Sequence, residues 1–121
     1  MINKYILKQC CKEGFTEEEF YGAYKIFFGT LVSEPRLKII NLLRTGKKNV
    51  SEIMETLDMD QTSVSHNLER LKRCGFVKSE IEGKYRYYKI NEETIRHIMH
   101  LIENHMSQYC IHILRAMKGG H

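Results

Sequence analysis

The chain has 121 residues, 42% of them hydrophobic and 28% charged, with one proline and no tryptophan. That length fits one domain, 1–121, whose modest core gains from a second copy, and no stretch reaches the ~18 apolar residues of a membrane span. The formal net charge is +4, and residues 61–90 account for all of it with seven Lys or Arg against three Glu, while Glu13, Glu17, Glu18 and Glu19 make the N-terminal side acidic, an asymmetry that suits a polyanion.

Residues 1–15 read as a short helix or arm closed by Gly14. MINKYILKQCCKEGF holds no apolar run of signal-peptide length, so a cytoplasmic location is expected. There the four cysteines would be reduced thiols, metal ligands or redox sensors rather than structural disulfides. Thr16 followed by Glu17, Glu18 and Glu19 predicts a capping box and a helix to about Leu31. Phe20, Tyr24, Phe27 and Leu31 form its apolar stripe, widened by Tyr21 and Phe28, more an interface than a solvated face.

Ser33-Glu34-Pro35 starts the next helix, with Leu37, Ile40 and Leu43 inward and Ile39 and Leu42 flanking. TGKKN reads as a loop. Ser51 is the expected cap of a short helix, 52–57, with Ile53 and Leu57 inward, and Asp58-Met59 is a turn. Asp60 caps a helix from Gln61 to about Cys74 whose inward stripe is Val64, Leu68 and Leu71, and Gly75 stops it. Residues 76–81 and 84–90 read as strands about a Glu82-Gly83 turn. Asn91 caps a last helix, 92–117, ended by Gly119-Gly120. The predicted fold is mostly α with a β-hairpin wing: a winged helix-turn-helix over 51–90 and a long C-terminal dimerisation helix.

TSVSHNLERLKRCGFV, residues 62–77, carries the functional reading. At 100° per residue, Gln61, Thr62, Ser65, His66 and Arg70 avoid the leucine-spaced side. They crowd the start of a helix that turns basic, where a recognition helix meets base edges, and helix N-terminal N–H groups favour phosphate. Gln61 and Asn67 suit adenine; Arg70 suits guanine or phosphate. Lys84 and Arg86 on the wing suit nearby phosphates. Thr62 and Ser63 are also ordinary first-turn hydroxyls, so the set carries the inference, not either residue. On the last helix, Ile95, Ile98, Ile102, Met106, Tyr109, Ile113 and Met117 recur at near-heptad spacing. So long a face needs a twofold partner, joined by Phe20, Phe27 and Phe28.

SEPRLKIINLL, SEIMETLDMDQTSVSHNLERLKRCGFVKSE and EGKYRYYKIN resemble the ArsR/SmtB family of winged-helix repressors, over about residues 20–106. The resemblance implies a homodimer on double-stranded operator DNA, released by metal ions, arsenite or redox chemistry. It also implies base or backbone contacts at Gln61, Thr62, Ser65 and His66. The helix that carries a cysteine motif in some members is SEIMETL here and has no thiol. The last-helix metal pattern falls on Glu92, Thr94, His105 and Gln108, two of which are poor ligands.

Cys10-Cys11 remains, a vicinal pair near Lys8 and Lys12. Cys110 is the third thiol if the arm of one subunit crosses the other's last helix. Cys74 reads as core packing. His97 and His100, at i and i+3, are close enough to share a metal, though they also read as polar edges of the interface, as do His105 and His112. The candidate effectors are arsenite or another soft ion, or oxidation that joins these thiols; none is required for the fold. Two other readings stay open: a winged-helix DNA-binding protein without a small-molecule effector, and a metal-buffering or protein-interaction module. No glycine-rich phosphate loop and no nucleophile–base pair points to an enzyme.

Overall fold

Short polar residues set the helix starts. The computed structural model describes residues 2–119, except the side chain of Cys10. After α1 (Lys4–Lys12) and Gly14, Thr16 accepts from the Glu19 N–H while Glu19 reaches back to the Thr16 N–H, which closes the expected capping box on α2 (Glu17–Leu31). Ser33 accepts from the Arg36 N–H to start α3 (Glu34–Leu43), and Asp60 accepts from the Ser63 N–H at 2.7 Å to start α5 (Gln61–Arg73).

At α4 (Val50–Leu57) the cap is Asn49 rather than Ser51. Both residue types cap well, but Glu52 stands at the third helical position only when Asn49 is the cap, and its carboxylate then accepts from the Asn49 N–H to complete a capping box.

The segment read as a loop at TGKKN contains a strand. β1 (Lys48–Asn49) pairs antiparallel with β3 (Tyr85–Ile90), Lys48 opposite Tyr88 and Asn49 opposite Tyr87. With β2 (Val77–Glu82) the sheet order is β1-β3-β2. Val77 faces Ile90 and Glu82 faces Tyr85, so the hairpin turn is Gly83-Lys84, one residue later than expected. Gly83, at φ 63°, takes the left-handed position there.

Asn91 holds a turn rather than the last helix itself. Its Oδ1 accepts from the Glu93 N–H, and α6 (Ile95–His105) begins three residues later than expected, after a cap at Thr94. A π-helical turn (Met106–Cys110) comes next, and then α7 (Ile111–Gly119). The Ile111 N–H donates to Met106 O, five residues back. The extra residue in that turn rotates α7 relative to α6 by about 100°. The stripe expected to run straight from Ile95 to Met117 is therefore interrupted at Met106. Gly120, expected to end the helix, lies outside the described residues.

The core sits where α3, α4, α5 and the sheet meet. Ile39, Ile40, Leu43, Ile53, Val64, Leu68, Leu71, Phe76, Val77 and Ile90 are closed off from solvent, and Ile95 and Met99 of α6 cover it. The expected inward stripe of α5 is buried as read. On α3 the fully buried neighbour is Ile39 rather than Leu37, which is half-buried.

Gly75 ends α5 in a Schellman motif. Its N–H donates to Lys72 O at 3.1 Å, the Phe76 N–H donates to Leu71 O at 2.9 Å, and its φ is +80°. An added Cβ would meet nothing within 4 Å, so Gly75→Ala carries only the backbone strain of the left-handed conformation, about 1–2 kcal/mol. An unfolding free energy lowered by that amount in urea, seen as a lower midpoint with an unchanged slope, is the expected result; no change would deny the motif its role.

Arg44 forks onto Glu103 of α6 at 2.7 and 2.8 Å. Hydrogen bonds from that guanidinium hold the Glu103 carboxyl below the usual carboxylate range, against a smaller opposing effect of burial. A lowered folded-state pKa gives stability that is present above the unfolded value, ~4.3, and lost as pH falls through the folded one. Glu103 is 47% exposed, so solvent screening limits the pair to about 0.2–1 kcal/mol. Glu103→Gln should lower thermal stability by that amount at pH 7, and the difference from the parent protein should shrink as the pH falls below the unfolded value and through the lower folded one.

Candidate nucleic-acid interface

The first two turns of α5 divide cleanly. Val64, Leu68 and Leu71 are buried; Gln61, Thr62, Ser65 and His66 are exposed. The Asp60 cap and the helix start fix the phase of that division, so burying the apolar stripe aims Thr62, Ser65 and His66 outward together, while Gln61 is exposed as the first residue of the helix. Ser63, half-buried, belongs to the cap: its N–H goes to Asp60, and its carbonyl oxygen accepts from Asn67 Nδ2 at 2.9 Å.

Two residues read as base contacts sit elsewhere. Asn67 is buried, its Oδ1 accepting from Arg36 at 3.4 Å and its Nδ2 donating to Ser63, so its amide is not free to pair with adenine. Arg70 is half-buried, and its Nε donates to Thr30 Oγ1 at 3.2 Å, toward α2 rather than toward the α5 start. Helical phase suggested Arg70 and side-chain type suggested Asn67; residues far along the chain draw both inward. Arg36, which no sequence pattern singled out, is the partner at the centre. Its signal was its position, a cation in the first turn of α3, where the helix dipole disfavours positive charge.

On the wing, Lys84 and Arg86 are exposed at the turn and on β3. Arg86 donates to Ser79 Oγ at 3.3 Å, and Lys84 Nζ lies 5.5 Å from the centre of the Tyr85 ring. The wing's acids are already engaged. Lys47 bridges Glu82 at 2.7 Å and Glu80 at 3.2 Å, and Lys89 reaches Glu80 at 3.4 Å. Hydrogen bonds from Lys47 and then Lys89 hold the Glu80 carboxyl below its ordinary range, and Glu82 and then Glu80 raise Lys47. With Glu80 and Glu82 matched to lysines, the wing presents Lys84 and Arg86 as cations.

An α4–turn–α5 unit followed by a basic hairpin is the winged helix-turn-helix arrangement. A family model described as "Bacterial regulatory protein, arsR family" matches residues 33–79. An uncharacterized HTH-type transcriptional regulator of Methanocaldococcus jannaschii is 34% identical over 89 residues, which is 71% of this chain and 97% of that one. The chain belongs to the ArsR family. The arsenical resistance operon repressor of Bacillus subtilis is 27% identical over 85 residues, 69% of this chain and 81% of the repressor. Among solved structures, the homodimeric winged helix-turn-helix DNA-binding domain of a possible ArsR-family regulator from Mycobacterium bovis superposes with a TM-score of 0.71 at 27% identity, over 77% of this chain and 86% of that chain.

The candidate sensor groups of this ArsR-family chain are dispersed. Cys11 is exposed on α1, and Cys110, half-buried, closes the π-helical turn; both are free thiols. The side chain of Cys10 lies outside the described residues. Cys74 is half-buried at the end of α5 and packs against the core, 3.5 Å from Thr30 Oγ1. His97 and His100 are exposed on α6. Among the described residues of one chain, no three His, Cys, Asp or Glu side chains come together as a metal site. His97 and His100 therefore lack a third ligand within the described chain, and a soft ion would need donors from two copies or from Cys10.

The apolar residues read as an interface divide in two. Phe27, Ile98 and Ile102 pack at the edge of the core, and Ile95 is buried in it. Phe28, Met106, Tyr109 and Ile113 are exposed, as are Leu101, Leu114 and Met117. Phe20 is half-buried, edge-on to Tyr24 at 5.3 Å. No helix among the described residues is long and apolar enough to cross a membrane.

Proposed function

We propose that this ArsR-family protein is a dimeric, sequence-specific repressor that reads double-stranded operator DNA with α5 and steadies itself on the backbone with the wing. The observation that carries the reading is the outward set Gln61, Thr62, Ser65 and His66 at the start of α5, fixed by a buried stripe and followed by a cationic wing. Short side chains there let the helix approach base edges closely, and Lys84 and Arg86 suit phosphates. Residues 1–121 act as one winged helix-turn-helix domain, with 51–90 as the reading unit.

The second copy is supported by apolar surface left open in one chain. A groove of about 880 Å³ runs between α1, α2, the end of α5 and α6, lined by Ile6, Phe20, Tyr24, Phe27, Cys74 and Ile98. Beyond it Met106 and Tyr109 of the π-helical turn and Ile111, Ile113, Leu114 and Met117 of α7 are exposed. The partner's last helices cover this surface.

The effector is a thiophilic ion such as arsenite, or an oxidant, acting at Cys10, Cys11 and Cys110. Arsenic(III) and soft metals select thiolates, and the similarity to an arsenical resistance operon repressor points the same way. The arm of one copy brings Cys10 and Cys11 to Cys110 on the last helix of the other. The test is a mobility-shift assay on DNA upstream of the protein's own gene, repeated with arsenite, zinc, cadmium, copper(I) and peroxide. Failure to retard any duplex at low salt sinks the DNA reading. Retardation that none of these reagents releases sinks the sensing and leaves a winged-helix regulator without a small-molecule input.

A further inference from the structure

We propose that Thr30, Arg36, Asn67 and Arg70 are positioning residues that lock the reading helix onto α2, so that sequence discrimination depends on groups that never touch DNA. The inference rests on the proposed reading of DNA by α5. Thr30 is completely buried near the end of α2. Its one hydroxyl proton goes to Ile26 O at 2.7 Å, which leaves the oxygen's lone pairs to accept from Arg70 Nε at 3.2 Å. Arg36 clasps the end of α2 from the other side. Its Nε donates to Thr30 O at 2.8 Å and its Nη2 to Gly29 O at 3.3 Å, two of the carbonyls that a helix C-terminus leaves without intrahelical partners.

The third arm of that guanidinium reaches Asn67 Oδ1, and Asn67 Nδ2 continues to Ser63 beside the Asp60 cap. Every link is directional, and Thr30 and Asn67 are buried while Arg36 and Arg70 are half-buried, so removing the Thr30 hydroxyl or the Asn67 amide leaves donors or acceptors unmet. The apolar stripe of α5 resists withdrawal but resists rotation and sliding only weakly. The polar chain grips two successive turns, at Asn67 and Arg70, and fixes those motions. The same α2 carries Tyr24 and Phe28 on its outer side. A shift in how a second copy seats on that side reaches Ser63 and its neighbours Thr62, Ser65 and His66 through rigid, hydrogen-bonded groups.

The test uses the duplex that the full-length protein selects from a random pool, and a scrambled duplex of equal length. Three readouts are taken: the affinity ratio of the two duplexes, the slope of log affinity against log salt, and amide exchange at residues 61–67 in the free protein. Asn67→Ala leaves Arg36 on its two α2 carbonyls, and Thr30→Val keeps the shape without the hydroxyl. Each is expected to lower the ratio by at least about tenfold, the equivalent of roughly one base contact. The salt slope should not change, because no phosphate contact is removed, and exchange in the first turns of α5 should quicken. Thr30→Ser restores the hydroxyl and should restore the ratio. An unchanged ratio in both variants overturns the proposal, as does a loss that only tracks a fall in melting temperature or that Thr30→Ser fails to rescue. If the parent protein selects no duplex, the DNA reading fails and the proposal falls with it; quickened exchange in the variants would then mark the network as purely structural.

Discussion

Phe76→Ala is expected to destabilise the protein by about 3–5 kcal/mol, a large part of the ~5–15 kcal/mol that holds a typical domain folded. Phe76 has no exposed surface and is among the largest fully buried side chains of the described residues. Its ring stacks on Phe27 of α2 at 5.1 Å, and it packs in one cluster with Leu71 of α5 and with Val77 and Ile90 of the sheet. Its backbone is equally committed: the N–H closes the end of α5 on Leu71 O, and the carbonyl oxygen accepts from the Asn91 N–H at 3.0 Å. The residue thus stands where α2, α5 and both wing strands converge, and truncation leaves a cavity that none of the four can close without giving up another contact. Urea unfolding at a fixed protein concentration is the measurement, because a second copy would otherwise move the midpoint by mass action. A loss under about 1 kcal/mol would mean that the sheet and α2 pack far more loosely than the buried ring implies.

What the sequence made legible was local. Thr16, Ser33 and Asp60 announce their helices because each cap needs only the next three residues, and Gly75 announces a stop because only glycine enters that conformation without strain. The Val64, Leu68, Leu71 stripe is a property of one helix. The misses at β1 and the flank of α5 depend on distant chain. A two-residue strand at Lys48–Asn49 has no periodicity to read; it exists because Tyr87 and Tyr88 offer an edge. At α4 the competition is local: two legitimate caps stand two residues apart, and the reciprocal box with Glu52 goes to Asn49. Asn67 and Arg70 lie on the flank of the α5 stripe, where helical phase leaves either environment open, and Arg36 and Thr30 settle it from 31 and 40 residues away. The candidate base contacts at Thr62, Ser65 and His66 were legible for the opposite reason, since their exposure needs only the phase of their own helix, and Gln61 is exposed because it is the first residue of α5.

The second large effect is expected on DNA rather than on folding. Gln61→Ala and His66→Ala remove exposed side chains from the α5 start, so stability should stay within about 0.5 kcal/mol of the parent protein. Affinity for the selected duplex should fall by about 1–3 kcal/mol each, with discrimination relaxed at the base that each side chain reads. Lys84→Ala and Arg86→Ala on the wing should behave differently. Each removes a cation, weakens all duplexes to a similar degree, and lowers the slope of log affinity against log salt by about 1. Asn67→Ala forms a third class, with lost discrimination, an unaltered slope and no contact of its own. Measuring the four surface variants and Asn67→Ala on matched and scrambled duplexes at several salt concentrations separates base reading, backbone anchoring and positioning. A uniform loss across both duplexes for Gln61→Ala and His66→Ala would reassign the α5 start to phosphate contact. Sequence discrimination would then have to come from the wing or from the shape of the DNA.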